Sequence, residues 1–205
     1  MNKKKVHIII FAKAPLAGFA KTRLIPALGE QGAARFAKKL FDHTIKHALS
    51  ADIGSVELCV TPSLSDNYWN GYSLPKNILL TEQGDGDLGE RMARAAERAL
   101  KGHRSVLLMG TDCPELDAQY LRSAAEELLC HDACLTPVSD GGYALMGLNA
   151  FDSSLFEGIP WSTDKVCELT FECFRYLDWQ VAHLRQLHDI DEADDLKYLP
   201  ENFIT

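Results

Sequence analysis

The sequence predicts an α/β fold with a mostly parallel central sheet. Short runs of β-branched and aliphatic residues alternate with longer segments of helical periodicity, and this alternation is typical of βαβ units. A chain of 205 residues can bury a complete hydrophobic core, and no Pro/Gly-rich tract, repeat or charge block marks a linker. We therefore expect residues 1–205 to form a single domain.

Seven strands and four main helices are predicted in chain order. The strands are short apolar runs at 6–11, 56–61, 78–81, 105–109, 133–137, 144–148 and 181–184. The helices are the segments of helical spacing between them, at 31–49, 88–100, 117–130 and 164–176. Asp87 is a candidate N-cap of the second helix, and Ser162 and Asp164 are alternative caps of the fourth.

The segment from residue 133 to residue 148 departs from the alternation. Its two strands are joined by Ser139-Asp140-Gly141-Gly142, which is too short for a crossover helix. Strands joined by so short a turn pair antiparallel, and Asp-Gly is a strong turn signal. The sequence therefore predicts a small hairpin excursion added to the parallel core.

The charge balance disfavours two classes of partner. Lys and Arg number 21 against 29 Asp and Glu, so the net charge is −8. We expect no binding to nucleic acid and none to an anionic membrane surface. No run approaches the ~18 apolar residues of a membrane span. The apolar run at 6–12 contains His7 and is short, so it is predicted to be a buried strand rather than part of a signal peptide.

Cysteine and histidine spacing gives no sign of a zinc or disulfide framework. The six cysteines form no Cys-x-x-Cys pair, which indicates reduced thiols and a cytoplasmic protein. His43 and His47 lie four residues apart on the first helix but lack a third ligand nearby in sequence. We expect them to lie on a solvated helix face.

The loop after the first strand is cationic. In open parallel sheets ligands bind beyond the carboxyl ends of the strands, so the loops there are the first place to seek a site. This loop carries Lys13, Lys21 and Arg23 and no acid, a combination that suits phosphate binding. Pro15 and Ala20 replace the glycines of a Walker A loop, so that motif is absent. The alternative is a solvated loop with scattered cations.

The loop after the third strand matches the dinucleotide-binding motif Gly-x-Gly-x-x-Gly at Gly84, Gly86 and Gly89. Its two aspartates would repel a pyrophosphate, and the match lies in mid-chain rather than in the first βα turn. A dinucleotide-dependent oxidoreductase is therefore the weakest hypothesis. We expect this loop to contact a base or ribose, with a mobile Gly-rich turn as the alternative.

Acidic residues follow the later strands. Asp112 ends the fourth strand, where Mg²⁺ would take one or two carboxylates plus phosphate oxygens; the alternative is a turn or cap. Asp140 is a candidate second acid or acceptor-binding group, and a plain hairpin turn is its alternative. In the tail, Asp191 is a candidate N-cap of a last helix, and Asp189 or Asp191 could equally be a second metal ligand.

These loops together resemble a known family. FAKAPLAGFAKTRL, GDLGERM, GTDCPEL, SDGGYALMGL and DIDEADDL are similar to the small bacterial GT-A-type transferases called selenodomain-associated transferases. More distantly, the chain is similar to the molybdenum cofactor and phospholactate guanylyltransferases. The resemblance spans residues 6–196 and implies a three-layer α/β/α GT-A fold, the nucleotide-diphospho-sugar transferase fold, with a divalent cation, Mg²⁺ or Mn²⁺.

The resemblance also implies roles for individual residues. Lys21 and Arg23 would hold phosphates, and Asp112 would be the metal acid, with Asp140, Asp189 or Asp191 as a possible partner ligand. The predicted catalytic residues are Asp112, Asp140 and Arg23. The predicted nucleotide-binding residues are Lys13, Ala14, Gly18, Lys21, Thr22, Arg23, Asp87, Gly89 and Thr111. The predicted acceptor-side residues are Gly141, Gly142 and Tyr143.

Two departures from the family pattern leave the reaction open. Thr111-Asp112-Cys113 carries one acid where glycosyltransferases of this fold usually have Asp-x-Asp. Thr22-Arg23 lacks the Pro-Lys that often follows in sugar nucleotidylyltransferases. We expect a metal-dependent glycosyltransferase that uses a nucleotide sugar and an unknown acceptor. The alternatives are a nucleotidylyltransferase that uses an NTP and a phosphorylated acceptor, or a non-catalytic nucleotide-binding module.

Overall fold

The computed structural model describes residues 6–70, 72–103, 105–200 and 203. In this part of the chain, seven strands form one sheet. They are β1 (Val6–Lys13), β2 (Gly54–Thr61), β3 (Ile78–Glu82), β4 (Ser105–Met109), β5 (Ala133–Pro137), β6 (Tyr143–Leu148) and β7 (Val181–His183). All seven predicted strands are thus found, each with ends within two residues of the predicted ones.

The described residues also form five α-helices and three short 3-10 helices. The α-helices are α1 (Ile25–Ala51), α2 (Asn67–Asn70), α3 (Leu88–Leu100), α4 (Ala118–Glu127) and α5 (Val166–Tyr176). The 3-10 helices lie at Thr22–Leu24, Ser153–Leu155 and Ala193–Tyr198. The helix predicted at 31–49 begins earlier because Pro26 suits a first helical turn, and it is broken at Gly29, where φ is 69°.

The strand order is β3-β2-β1-β4-β6-β5-β7. β6 is antiparallel to both of its neighbours, β4 and β5, whereas the other strand pairs are parallel. The predicted hairpin is therefore confirmed, but β6 lies inside the main sheet rather than beside it. As a result the turn between β5 and β6 opens at the same edge as the carboxyl ends of β1 and β4.

Two hydrophobic layers cover the two faces of the sheet. Ile8 and Ile10 of β1 face a layer that contains Phe41 of α1 and Leu121 of α4. Ile9 faces the other layer, together with residues of α3 and α5. The central strands are therefore buried on both faces, which explains why their sequences are continuous apolar runs. The fold is the predicted three-layer α/β/α arrangement.

Helix ends match the predicted caps in one case and differ in two. The Asp87 side chain accepts the N–H of Glu90, and the Glu90 carboxylate accepts the N–H of Asp87, so the predicted cap of α3 is confirmed as a capping box. Neither Ser162 nor Asp164 caps α5, whose N-cap position is Lys165. Ser162 has a φ of 65°, which turns the chain four residues before the helix begins.

The predicted cap at Asp191 is also wrong. The Asp195 carboxylate accepts the backbone N–H groups of Asp191 and Glu192, so Asp195 stabilises the start of the last 3-10 helix. The Asp191 side chain is thereby free to bind elsewhere. No helix among the described residues is long and apolar enough to span a membrane.

His43 and His47 do not lie on a solvated face. Both are half-buried: His43 Nε2 donates to the carbonyl of Pro114 at 2.9 Å, and His47 Nδ1 accepts the N–H of Ala118 at 3.1 Å. Burial lowers the pKa of both imidazoles. The two histidines therefore attach α1 to the loop before α4 and to the first residue of α4. The six cysteines are free thiols, as expected.

Candidate functional site

A cavity of about 680 Å³ opens at the carboxyl edge of the sheet. Its walls come from the loops after β1, β3 and β4, the start of β6, the turn before α5 and the loop that follows β7. This volume lies within the range of small-molecule sites, and the position is where α/β sheets bind ligands.

The charged side chains of the wall are divided by sign. The cations all precede β4 in the chain and form what we call the cationic half: Lys13, Lys21, Arg23 and Arg91. The acids all follow β4 and form the acidic half: Asp112, Asp140, Asp164, Asp189 and Asp191. Because β4 lies in the middle of the sheet, the two signs occupy different regions of one cavity.

Lys21 joins the two halves. Its Nζ lies 2.5 Å from Asp112 Oδ1 and 2.6 Å from Asp191 Oδ1, and its side chain is only 7% exposed. Burial by itself lowers the pKa of this amine, but the two carboxylates outweigh that effect and the pKa is raised. Lys21 is therefore a buried cation that holds two half-exposed aspartates together.

Asp112 is fixed by the loop that follows β7. The carbonyl of Asp112 accepts the N–H of Ile190 at 2.9 Å. Nearby, the Glu115 carboxylate accepts the N–H of His188 at 2.9 Å and binds Arg185 at 3.1 Å. These bonds connect Asp112 to the segment that carries Asp189 and Asp191, which explains why residues almost eighty positions apart share one wall.

Carboxylates of the acidic half repel one another. Burial, followed by the charges of Asp140, Asp191 and Asp112, raises the pKa of Asp189 to about 6. Asp140, Asp164 and Asp189 form no ion pair with any other residue that the structure describes. Beside Asp112, burial raises the pKa of the Cys113 thiol to about 12, which excludes a thiolate nucleophile at neutral pH.

The cationic half combines fixed and exposed groups. Lys13 Nζ lies 3.9 Å from the centre of the Phe19 ring, a cation–π contact. Arg91 donates to the carbonyl of Gly86 at 2.9 Å and so shapes the loop after β3. The Arg23 side chain is 67% exposed and reaches Glu192 only at 3.9 Å, so its guanidinium is available to a ligand.

The acidic half depends on a close backbone contact at Gly141. This residue has a φ of +89°, and a Cβ placed on it would lie 2.2 Å from the carbonyl oxygen of Asp164. The Gly141 carbonyl accepts the N–H of Cys167 at 2.9 Å. Glycine is therefore required here, and the contact brings Asp140 and Asp164 to the same side of the cavity.

An aromatic corner lies beside these aspartates. The rings of Tyr143 and Trp161 meet edge to face, with centroids 6.5 Å apart. A Cβ placed on Gly89 would lie 2.3 Å from Trp161 Nε1 and 2.6 Å from the carbonyl oxygen of Phe156. Gly89 thus leaves room for the indole at the start of α3.

Most of the sequence-predicted site residues line this one cavity. Those in the wall are Lys13, Lys21, Thr22, Arg23, Thr111, Asp112, Asp140, Gly142, Tyr143, Asp189 and Asp191. The others lie behind the wall, where they shape the loops. Ala14 is buried and donates its N–H to the carbonyl of Thr61, Gly18 turns the chain with a φ of +73°, and Asp87 caps α3. Gly89 and Gly141 provide the close contacts described above.

Sequence reasoning assigned no site role to several residues of the wall, among them Gln83, Arg91, Trp161 and Asp164. Arg91 belongs to the GDLGERM segment, so the motif itself was a signal for it. Asp164 was predicted only as an alternative helix cap, and Trp161 was assigned no role. The available signal for a binding role was the position of Trp161 and Asp164 in a loop, because binding residues are concentrated in loops.

The donor atoms present suit a hard divalent cation. Two carboxylate oxygens, of Asp112 and Asp191, already converge on a single positive nitrogen at 2.5 and 2.6 Å. No group of three or more His, Cys, Asp or Glu in the described chain is arranged to hold a metal ion. A cation here would therefore need further oxygens from water or from a bound phosphate, which is how Mg²⁺ is commonly held.

Comparison with solved structures supports the fold assignment. A crystal structure from Desulfovibrio desulfuricans G20, named a "putative nucleotide-diphospho-sugar transferase", has a TM-score of 0.90 and 29% identity. The match covers 97% of this chain and 87% of that one. The predicted likeness to nucleotide-diphospho-sugar transferases is thus confirmed at the level of fold.

Two more distant structures share the fold alone. A nucleotidyl transferase from Methanothermobacter thermautotrophicus has a TM-score of 0.60 and 13% identity over 98% of both chains. Rv0371c from Mycobacterium tuberculosis H37Rv, solved as a complex with manganese, has a TM-score of 0.52 and 15% identity over 94% of this chain and 96% of that one.

Sequence comparison places the chain in a family. No curated protein matches it significantly in sequence. Residues 44–163, more than half of the chain, match the model of a family described as "Uncharacterized protein conserved in bacteria (DUF2064)". The matched segment contains Asp112, Asp140 and Trp161 of the cavity wall. The chain belongs to the DUF2064 family of bacterial proteins.

Proposed function

We propose that this protein is a divalent-metal-dependent glycosyltransferase that takes its sugar from a nucleotide sugar. The observation that carries the proposal is the division of one cavity into a cationic half and an acidic half that meet at Lys21. The negative charge of a nucleotide sugar lies in its diphosphate. The transferred sugar and the acceptor are less strongly charged. A cavity divided by sign suits that distribution.

The cationic half would bind the diphosphate. Lys13 ends β1, Lys21 and Arg23 follow it, and Arg91 of α3 also lines the cavity. Arg23 can offer a planar fork to phosphate oxygens, and the lysines act as point charges. Negative charge grows on the diphosphate as it leaves, and preorganised cations there stabilise the transition state by several kcal/mol.

A divalent cation would be held by Asp112 together with Asp191 or Asp189. When bound, it would supply Lewis-acid stabilisation of the diphosphate. The residues of the chain do the remaining work. Asp112 and Asp191 orient Lys21, and the bond from Ile190 to Asp112 keeps the two acidic segments in place.

The acceptor would enter over the acidic half. Asp140 is the candidate to bind an acceptor hydroxyl and to take its proton. In the transfer, the acceptor oxygen forms a bond to the anomeric carbon, the bond from that carbon to the diphosphate breaks, and the nucleoside diphosphate leaves. The Asp140 carboxylate accepts the N–H of Gly142 at 2.8 Å, which fixes its orientation.

Nucleotidyl transfer is the second candidate, because one neighbour of the same fold is a nucleotidyl transferase. The two reactions give different products from different donors. Glycosyl transfer releases a nucleoside diphosphate from a nucleotide sugar, whereas nucleotidyl transfer releases pyrophosphate from an NTP. A protein that binds nucleotide without turnover would be a binding module.

The test is a thermal-shift panel of nucleoside diphosphates, triphosphates and nucleotide sugars, each with and without Mg²⁺ and Mn²⁺. A ligand at 100 times its Kd stabilises the fold by ~2.7 kcal/mol, which raises the Tm of a chain of this size by roughly several degrees. We expect a shift that needs both the metal and one nucleotide sugar, followed by metal-dependent release of nucleoside diphosphate. Release of pyrophosphate from an NTP would instead establish the second candidate.

Variants separate the two halves. Asp112→Asn should weaken nucleotide binding in Mn²⁺ more than in EDTA, and Arg23→Ala should weaken binding of diphosphates more than binding of nucleosides. Asp178→Asn and Arg175→Ala are matched controls, since both residues are exposed and lie outside the cavity wall. Equal loss with and without metal would make Asp112 a structural residue.

A further inference from the structure

The acidic half carries more negative charge than the proposed reaction requires. Its five carboxylates carry five negative charges. The positive charges beside them are that of Lys21 and, in the proposed function, the two of a divalent cation. Even with both counted, two negative charges are left at the place where the acceptor would bind. No lysine or arginine from residue 110 onward lines the cavity in the described chain. A phosphorylated or carboxylated acceptor would be repelled there.

The excess charge is concentrated at Asp140 and Asp164. These residues flank the tight contact between Gly141 and the backbone of Asp164, so their positions relative to each other are fixed. Both are exposed in the cavity wall, and neither forms an ion pair with a described residue. No described residue neutralises these two carboxylates, so they would attract a cationic group of a ligand bound in the cavity.

The aromatic corner provides a second, independent feature. Trp161 and Tyr143 line the same part of the cavity, and their edge-to-face contact leaves the two ring planes 79° apart. Aromatic faces attract ammonium groups, and tryptophan does so most strongly. Burial raises the pKa of Tyr143, so its ring carries no charge at neutral pH.

We propose that the acceptor carries a protonated amine, bound by Asp164 and the face of Trp161, and that a hydroxyl of the same molecule, held by Asp140, receives the sugar. This inference rests on the proposed function, since it names the acceptor class of that same cavity. The amine is a recognition group and stays unchanged, so the transfer step remains the one described above.

The experiment uses four probes that share one hexose skeleton: glucosamine, N-acetylglucosamine, glucose and glucose 6-phosphate. Each is titrated by calorimetry into the full-length protein saturated with Mn²⁺ and the nucleoside diphosphate selected by the thermal-shift panel. The titrations are made at about pH 6, where an amine is protonated. We expect glucosamine to bind about tenfold more tightly than glucose or N-acetylglucosamine, a difference of about 1.4 kcal/mol. Glucose 6-phosphate should bind most weakly.

Variants assign the preference to the proposed residues. Asp164→Asn and Trp161→Leu should each bring the ratio of the Kd for glucose to the Kd for glucosamine close to one. Glu168→Gln is the matched control for charge, because Glu168 is an exposed acid of α5 outside the cavity wall. It should keep the preference.

The outcomes distinguish this inference from the proposed function. If no nucleoside diphosphate binds with metal, the proposed function fails and the probes are tested against the free protein, where the same glucosamine preference would still support the amine site. If the nucleotide binds but glucose or N-acetylglucosamine equals glucosamine, the amine proposal is overturned and the donor site stands. Tighter binding of glucose 6-phosphate would also overturn it and would favour a phosphorylated acceptor.

Discussion

Glu57 is a buried carboxylate whose charge should stabilise the fold. It is only 1% exposed, and it accepts hydrogen bonds from Thr81 at 2.6 Å, from Arg98 at 2.6 Å and from His7 Nε2 at 2.8 Å. Burial by itself raises the pKa of this carboxyl, but the bonds from His7, Arg98 and Thr81 outweigh it and lower the pKa to about 2. The perturbation we consider is Glu57→Gln.

The size of the effect follows from this pKa. The difference between an ordinary value of 4.5 and about 2 corresponds to about 3 kcal/mol of folding free energy at neutral pH. Because the folded-state pKa is the lower one, this contribution is complete above the unfolded-state pKa and decreases as pH falls toward the folded-state pKa. By linkage, about 1.5 kcal/mol of it is lost by about pH 3.5.

The assay is urea unfolding of the native protein and of Glu57→Gln at about pH 6 and about pH 3.5. Other carboxylates titrate in both proteins, so the quantity of interest is the difference between their free energies of unfolding. We expect Glu57→Gln to be less stable by about 2–3 kcal/mol at the higher pH and by about half as much at the lower. A difference that is equal at both pH values would refute the assignment. Glu97→Gln, at an exposed acid of α3, is the control.

Three further substitutions test the contacts that shape the cavity. Gly141→Ala puts a methyl against Asp164 at a positive φ, so we expect at least about 2 kcal/mol of lost stability in urea and weaker acceptor binding. Gly89→Ala should displace Trp161, which a change in tryptophan emission would report; no change would contradict the proposed packing. His47→Leu leaves the first turn of α4 without an acceptor and should cost about 1–3 kcal/mol, with His47→Asn partly restoring stability.

The elements of the fold could be predicted because their signals are local. Apolar runs such as 105–109 are buried on both faces of the sheet, and the helices between strands show helical spacing. The position of β6 could not be predicted in the same way. A short turn requires β5 and β6 to pair, but which neighbour β6 takes on its other side depends on contacts with β4, far away in sequence.

The candidate site could be predicted in part for the same reason. Lys21 and Asp112 stand out because each lies in a loop that follows a strand, where ligands bind. The ion pair between Lys21 and Asp191 joins residues 170 positions apart, and sequence spacing carries no information about it. The prediction that His47 lies on a solvated helix face was wrong for the same reason. Its role as a hydrogen-bond acceptor depends on α4 lying beside α1.

The division of charge also indicates how the site depends on the fold. The cationic half comes from the end of β1, the loop after it and α3, whereas the acidic half needs β4, the inserted β6 and the loop after β7. Lys21 can be buried only when Asp112 and Asp191 are both present, because an unpaired ammonium at that depth would be strongly destabilising. The loop after β7 is therefore part of the site itself. Any rearrangement that separates Asp191 from Asp112 must also expose Lys21 or give it another anion, and a bound diphosphate is an anion suited to that exchange.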